Sequence, residues 1–252
     1  MKISILIPVL NYEERLEDTL KEIKKNVKKA EIILLYDITK LELKSKIEEL
    51  CKRLKSRYGV WTIFRINEKG FGSALRLGFK NVKGDVILVM MGDLCDDPKT
   101  IPKMLEKINE GYDVVVGSRY VKGGGIIGNT MKQRISSFVS ILISVFSKVK
   151  CRDVTNAFKM YSKDVINSVE TKSNSFDISA ELTLKAAKMG FSISEVPTVW
   201  KNRDIGKSKF NMIKESKNYL KWFLFSVFTM PSKLTKLIVI LFIMIISWLI
   251  LI

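Results

Sequence analysis

Short apolar runs alternate with amphipathic stretches along the first two-thirds of the chain. Residues 3–7, 31–35, 61–66, 86–90 and 113–116 read as strands. Between the first two, Leu16, Leu20, Ile23 and Val27 recur at helical spacing. Between the next two, Leu43, Ile47, Leu50 and Leu54 do the same. Strands that lack polar alternation, separated by amphipathic helices, predict a mostly parallel sheet covered by helices on both faces. Ligands of such α/β sheets bind beyond the carboxyl ends of the strands. A mixed region follows, with strands expected near 156–161 and 191–196 and helices near 163–168 and 178–189.

Three further stretches carry their own pattern. Residues 123–128, Gly-Gly-Gly-Ile-Ile-Gly, predict a flexible loop or hinge. The helical stretch 131–150 is apolar on nearly every side in its middle and cationic at both ends. It reads either as a core helix or as a helix lying in a membrane plane. Every residue from Leu237 to Ile252 is apolar except Ser247. Those 16 residues make a helix of roughly 24 Å, which flanking residues extend towards a hydrocarbon core of roughly 30 Å. A membrane anchor over 234–252 is therefore expected. Between Lys201 and Lys236 lie nine Lys/Arg and two acids, interleaved with aromatic residues. Such a juxtamembrane segment favours anionic lipid and a cytoplasmic location. The expected division is an α/β domain at 1–210, a basic and aromatic helix at 211–233 and the anchor at 234–252.

Charge and composition narrow the chemistry. The 252 residues carry a formal charge of +17 and contain no histidine. Ser-His and Cys-His catalysis and His-ligated zinc are excluded. Three widely spaced cysteines without a CxxC fit a reducing compartment. The basic balance requires an acidic partner: nucleic acid, an anionic membrane or a phosphorylated small molecule. The run of the basic segment into the anchor favours the membrane over nucleic acid.

Four sites could hold that chemistry. Asp93, Asp96 and Asp97 follow the strand at 86–90, and three carboxylates so close suit a hard divalent cation or a solvated helix cap. Lys69, Gly70 and Gly72 open a helix and read either as a plain loop or as a turn whose N–H groups let an anion approach closely. The spacing to Gly78 does not fit the dinucleotide fingerprint, and there is no Walker A lysine motif. Gly117-Ser118-Arg119-Tyr120 and the cationic turn 203–209 could hold phosphate.

Taken in order, these pieces resemble the family 2 glycosyltransferases, and within them the dolichyl-phosphate (polyprenyl-phosphate) mannosyltransferase-like group. The likeness spans about residues 3–209. Ile5-Leu6-Ile7-Pro8-Val9-Leu10-Asn11 resembles the family's opening strand and nucleotide loop, and Leu34-Leu35-Tyr36-Asp37 its acidic pair after strand two. Lys69-Gly70-Phe71-Gly72 resembles its glycine-rich turn, and Gly92-Asp93-Leu94 its metal-binding DxD. Asp153-Val154-Thr155-Asn156-Ala157-Phe158-Lys159 resembles D-x-T-S-G-F-R. Glu195-Val196-Pro197 and residues 203–209 resemble E-V-P and R-x-x-G-x-S-K. Met91 stands in place of the first DxD aspartate, Cys95 in place of a glutamine, and Asp96 and Asp97 are additional acids.

The resemblance implies a GT-A-type nucleotide-diphospho-sugar transferase fold. It implies a metal-dependent, inverting transfer of a hexose, mannose favoured, to a polyprenyl or dolichyl phosphate at the cytoplasmic membrane face. The nucleotide-sugar donor, GDP-mannose favoured, would meet Pro8, Asn11, Asp37, Lys69, Gly70, Gly72, Asp93, Arg203 and Lys209. Mg²⁺ or Mn²⁺ would sit on Asp93, Asp96 and Asp97. Arg119, Arg134 and Ser136 would hold the acceptor phosphate, and the reacting groups would be Asp93, Asp96, Arg119 and Arg203. Nucleic acid is not an expected partner, whereas membrane lipid and a membrane-protein partner are compatible. Transfer to a surface glycan or lipid hydroxyl, and a non-catalytic membrane-bound homologue, are the alternatives.

Overall fold

The computed structural model describes residues 1–11, 14–66, 68, 70–128, 131–202 and 212–251. Within these, 131–136, 212–214, 216, 242, 243 and 245–251 are described as helical backbone only. Lys69, Arg203, Lys209 and the side chains of Arg134 and Ser136, all expected at the site, lie outside the described residues.

A seven-stranded sheet in the order β3-β2-β1-β4-β7-β5-β8 forms the centre. Its strands are β1 (Ile3–Leu10), β2 (Ala30–Ile38), β3 (Trp61–Ile66), β4 (Val86–Val89), β5 (Val114–Ser118), β7 (Lys159–Ser162) and β8 (Ile193–Pro197). β1 pairs in parallel with β2 and β4, and β2 with β3. β7 enters antiparallel between β4 and β5. The expected mostly parallel sheet is present, with this one reversal. Pro8 lacks an N–H to donate. It lies beyond Leu6, where the β1–β4 register ends.

Helices cover both faces. α1 (Leu16–Asn26), α2 (Lys44–Tyr58) and α4 (Ile101–Asn109) bury Leu16, Leu20, Ile23, Ile47, Leu54 and Met104 on one side. α3 (Phe71–Asn81), α6 (Lys163–Ser168) and α7 (Ile178–Lys188) bury Ala74, Leu75, Val165, Ile178 and Leu182 on the other. Alternate side chains of β1, β2, β4 and β5 divide between these two cores, so these strands are apolar on both faces.

The stretch at 123–128 is more ordered than expected from its glycines. β6 (Gly125–Ile127) pairs in parallel with β9 (Val199–Lys201) in a two-stranded sheet. The partner lies over 70 residues away, so local composition could not disclose it. α5 (Met131–Phe146) packs one side into the core and leaves another exposed. Ser140 and Ile143 are buried, whereas Phe138, Ile141 and Val145 are exposed. α8 (Met212–Thr229) packs against α5 and α7, with Tyr219 and Trp222 buried in the second core. Its opposite face exposes Leu220, Leu224 and Phe228.

α9 (Lys233–Leu251) covers the expected anchor, and Leu237, Ile238, Val239, Ile240, Leu241 and Met244 are exposed on it. Among the described residues no helix is long and apolar enough to cross a membrane. The spanning anchor expected from the sequence is thus not shown among the described residues; the described side chains of α9 carry an exposed apolar surface.

Candidate active site

The carboxyl ends of β1, β2, β4 and β5 share one edge of the sheet, and Asn11, Asp37, Asp93 and Arg119 lie at or just beyond those ends. The loop after β4 is the acidic one. Leu94 adopts φ +56°, a left-handed conformation that costs a side-chain-bearing residue energy and marks functional loops. Asp93 is buried and its Oδ1 accepts the Cys95 N–H at 3.1 Å. The Thr19 hydroxyl of α1 donates to the Gly92 carbonyl at 2.9 Å and pins the loop from below.

Asp96 is the unusual member. It is 3% exposed, and its Oδ1 has no hydrogen-bond partner among the described residues. Burial, then repulsion by Asp93, pushes its carboxyl up to about 7, against attraction from Arg119. A buried acceptor without a donor is costly, and a cation would supply the missing partner. Asp93 and Asp96 therefore fit a divalent ion whose remaining positions are filled by phosphate oxygens and water, as suits Mg²⁺. Asp97, expected beside them, also has a structural bond. Its Oδ1 accepts the Lys99 N–H at 3.0 Å and caps the short helix Pro98–Thr100. Among the described residues no three Cys, Asp or Glu side chains form a closed metal cage.

The residues at the ends of β2 and β3 are tied to one another. Arg65 grips Asp37 with two bonds, Nε to Oδ1 at 2.6 Å and Nη2 to Oδ2 at 2.7 Å, and both side chains are buried. Asp37 raises the guanidinium's pKa further above its ordinary value, against burial. Arg65 also reaches Ser73 at 2.8 Å. Gly70 donates its N–H to Asp37 Oδ2 at 3.1 Å, and Gly72 donates to the Asn174 carbonyl at 3.1 Å. These two N–H groups are engaged within the protein. The turn needs glycine for a close approach: a Cβ on Gly72 would lie 2.1 Å from the Ser173 carbonyl oxygen. Asn11 likewise closes a turn, at φ +57°. Its Oδ1 accepts the N–H groups of Thr39 at 2.8 Å and Lys40 at 3.0 Å, and its amide donates to Thr39 Oγ1. Its carboxamide thereby holds the 39–40 loop against the end of β1.

On the far side, Arg119 at the end of β5 sits beside Asp153. Arg119 Nε and Nη2 donate to the two Asp153 oxygens, both at 2.7 Å, and its backbone N–H joins them at 2.9 Å. Burial alone would lower the Arg119 pKa, but Asp153 outweighs it and raises it. The Nε edge is thus committed, and a phosphate would meet the opposite edge of the fork. Asp153 is itself fixed by Glu195, whose Oε1 accepts its N–H at 3.1 Å. Lys159, fully buried, donates to the Val154 and Ser179 carbonyls and to Thr183 Oγ1 at 2.6, 2.9 and 2.8 Å. Burial lowers its pKa to about 8. It anchors the loop that carries Asp153. Arg65 was not among the sequence candidates, although a lone charge inside the apolar run of β3 marked it.

The family model described as Glycosyl transferase family 2 matches residues 4–169. The chain belongs to that family. It is 32% identical over 233 residues to the dolichol-phosphate mannosyltransferase of Pyrococcus furiosus, covering 88% of this chain and 64% of the relative. The chain thus spans less than two-thirds of that relative's length. It is 25% identical to the undecaprenyl-phosphate mannosyltransferase of Micrococcus luteus, covering 84% of this chain and 88% of the relative. Among solved structures, glucosyl-3-phosphoglycerate synthase from Mycobacterium tuberculosis, in complex with Mn²⁺, UDP and glucosyl-3-phosphoglycerate, superposes with a TM-score of 0.65. The identity is 16%, and the match covers 92% of this chain and 81% of that one. At that identity the likeness is one of fold, and it supports the GT-A-like architecture for this family 2 chain.

Proposed function

We propose that this chain transfers a hexose, mannose first, from a nucleoside-diphosphate sugar, GDP-mannose first, to a polyprenyl phosphate with inversion. The names of the two relatives support glycosyl transfer to a polyprenyl phosphate. The observation that carries the reading is the orphaned Asp96 Oδ1 beside Asp93, at the strand ends. Asp93 and Asp96 would hold Mg²⁺ or Mn²⁺. When bound, the ion would neutralise charge developing on the departing diphosphate.

The residues do the rest. Arg65 and Asp37 fix the base side, and Arg119, held by Asp153, presents a guanidinium edge to the acceptor phosphate. A phosphate oxygen attacks the anomeric carbon. The bond from that carbon to the diphosphate breaks, and the nucleoside diphosphate leaves. The acceptor is already an anion at neutral pH and needs no general base, which fits a chain without histidine. Arg134 and Ser136 on the acceptor side, and Lys69, Arg203 and Lys209 on the donor side, remain part of the proposal from sequence. The exposed apolar faces of α5, α8 and α9 and the Lys217, Lys221, Lys233 and Lys236 cations would seat the protein on the cytoplasmic face of an anionic bilayer.

A donor screen tests this. Membranes carrying the chain receive radiolabelled GDP- and UDP-sugars, a polyprenyl phosphate and Mg²⁺ or Mn²⁺. Label from GDP-mannose should enter the organic phase. Label on hydroxyl acceptors alone, or on none, would refute the reading.

A further inference from the structure

The segment between α6 and α7 has no regular structure, yet it is held on every side. The Lys172 and Ser173 N–H groups donate to the buried Glu181 carboxylate, at 3.0 and 2.8 Å to its nearer oxygens. Burial raises the Glu181 pKa, but Lys185 and these N–H groups outweigh it and lower it. One side of the segment grips the glycine turn. Asn174 accepts the Gly72 N–H, Arg76 binds the Ser173 carbonyl and the Asn174 side chain, and Phe176 stacks on Phe71 at 4.7 Å. The other side grips α8. Asp177 Oδ2 accepts both the Ser173 hydroxyl at 2.6 Å and the Trp222 indole N–H at 2.9 Å, and Ser175 bonds Glu215.

We propose that residues 173–177 form a strap through which α8 positions the glycine turn of the donor site, with Asp177 as its positioning residue. The reasoning is steric as well as polar. Gly72 lets the strap backbone lie closer than any side chain would permit, so strap and turn move together. The turn in turn presents the Gly70 N–H and Ser73 to the Asp37–Arg65 pair. Asp177 joins Ser173 and Trp222 at a single oxygen, so its loss removes both of those bonds at once and leaves the Ser175–Glu215 hydrogen bond between the strap and α8. α8 also carries the exposed Leu220, Leu224 and Phe228 row, so the helix that faces away from the core there is the one that steadies the donor pocket.

The inference rests on the proposed donor chemistry, and its test separates the two. Full-length Asp177→Ala, Asp177→Asn and Trp222→Phe are compared with the parent in detergent. Amide hydrogen exchange is read over residues 70–76, and transfer kinetics are measured with GDP-mannose. Asp177→Ala and Trp222→Phe should speed exchange in that peptide. They should raise the donor KM by about fivefold to tenfold, the scale of one or two lost hydrogen bonds, with kcat within about twofold and the acceptor KM unchanged. Asp177→Asn keeps an acceptor oxygen at that position and should restore both readouts. Unchanged exchange over 70–76 in Asp177→Ala overturns the strap, whatever the substrate. Faster exchange with an unchanged donor KM overturns its role in donor binding. A fall in kcat alone would mark mere loss of folded protein and would also overturn it. Exchange effects in a parent that binds no nucleotide sugar would leave the strap standing and sink the donor reading, and with it Asp177's part in donor binding.

Discussion

Replacing Lys159 by methionine removes a buried cation and three donated hydrogen bonds at once. Two of its acceptors keep each other, because the Thr183 hydroxyl also donates to the Ser179 carbonyl at 2.8 Å. The Val154 carbonyl loses the lysine donor. One buried orphan plus a lost charge-assisted bond, offset by relief of the buried charge, gives a destabilisation of about 2–3 kcal/mol near pH 7.5. The pH dependence is the sharper signature. Burial lowers the lysine from 10.5 to about 8 in the folded protein. Between those values the unfolded chain binds the proton that the folded chain has released, so stability rises with pH. The contribution is complete above the unfolded value and is lost as pH falls through about 8. Across the window it amounts to at most about 3 kcal/mol. Urea denaturation of parent and variant, followed by tryptophan fluorescence at pH 7.5, 9 and 10.5, cancels titrations common to both. The parent should gain relative to the variant as pH rises. Parallel pH slopes, or a loss under about 1 kcal/mol, would refute the assignment of a charged, fully buried lysine.

Arg65→Met leaves the Asp37 carboxylate buried without its cation and should cost about 3–5 kcal/mol in urea denaturation; a loss below 1 kcal/mol would show that the pair is solvent-compensated. Gly72→Ala forces backbone at Ser173 to shift, because the contact is 2.1 Å. Thermal unfolding should register about 1–3 kcal/mol of destabilisation. Asp93→Asn preserves an oxygen for the Cys95 N–H, so circular dichroism should not change. Transfer should fall by about a hundredfold or more, and full metal-independent activity in that variant would remove the cation from the account. Deleting residues 237–252 should shift the protein from the floating to the soluble fraction in a liposome flotation gradient, and unchanged flotation would count against α9 as the attachment.

Local pattern settled the elements. The β3 span 61–66 and the α6 span 163–168 agree with the periodicity to the residue, and β1, β2 and β5 differ from it only at their ends. Those elements are set by side-chain spacing along a few residues, which a sequence displays directly. The acidic loop after β4 and the arginine after β5 were legible for the same reason, since strand ends place them. The partners were not legible. Asp37 meets Arg65 across 28 residues, Arg119 meets Asp153 across 34 and Trp222 meets Asp177 across 45. The glycine turn read from composition as an anion site because glycine permits any close approach. Only packing decided that the strap at 173–174 fills it. The triple-glycine stretch read as a flexible loop or hinge until β9 paired with it, and the antiparallel entry of β7 between β4 and β5 is carried by no local pattern. Short-range periodicity fixes what each segment is, whereas hydrogen-bond satisfaction across tens of residues fixes what it touches, and only the folded chain brings those groups within reach.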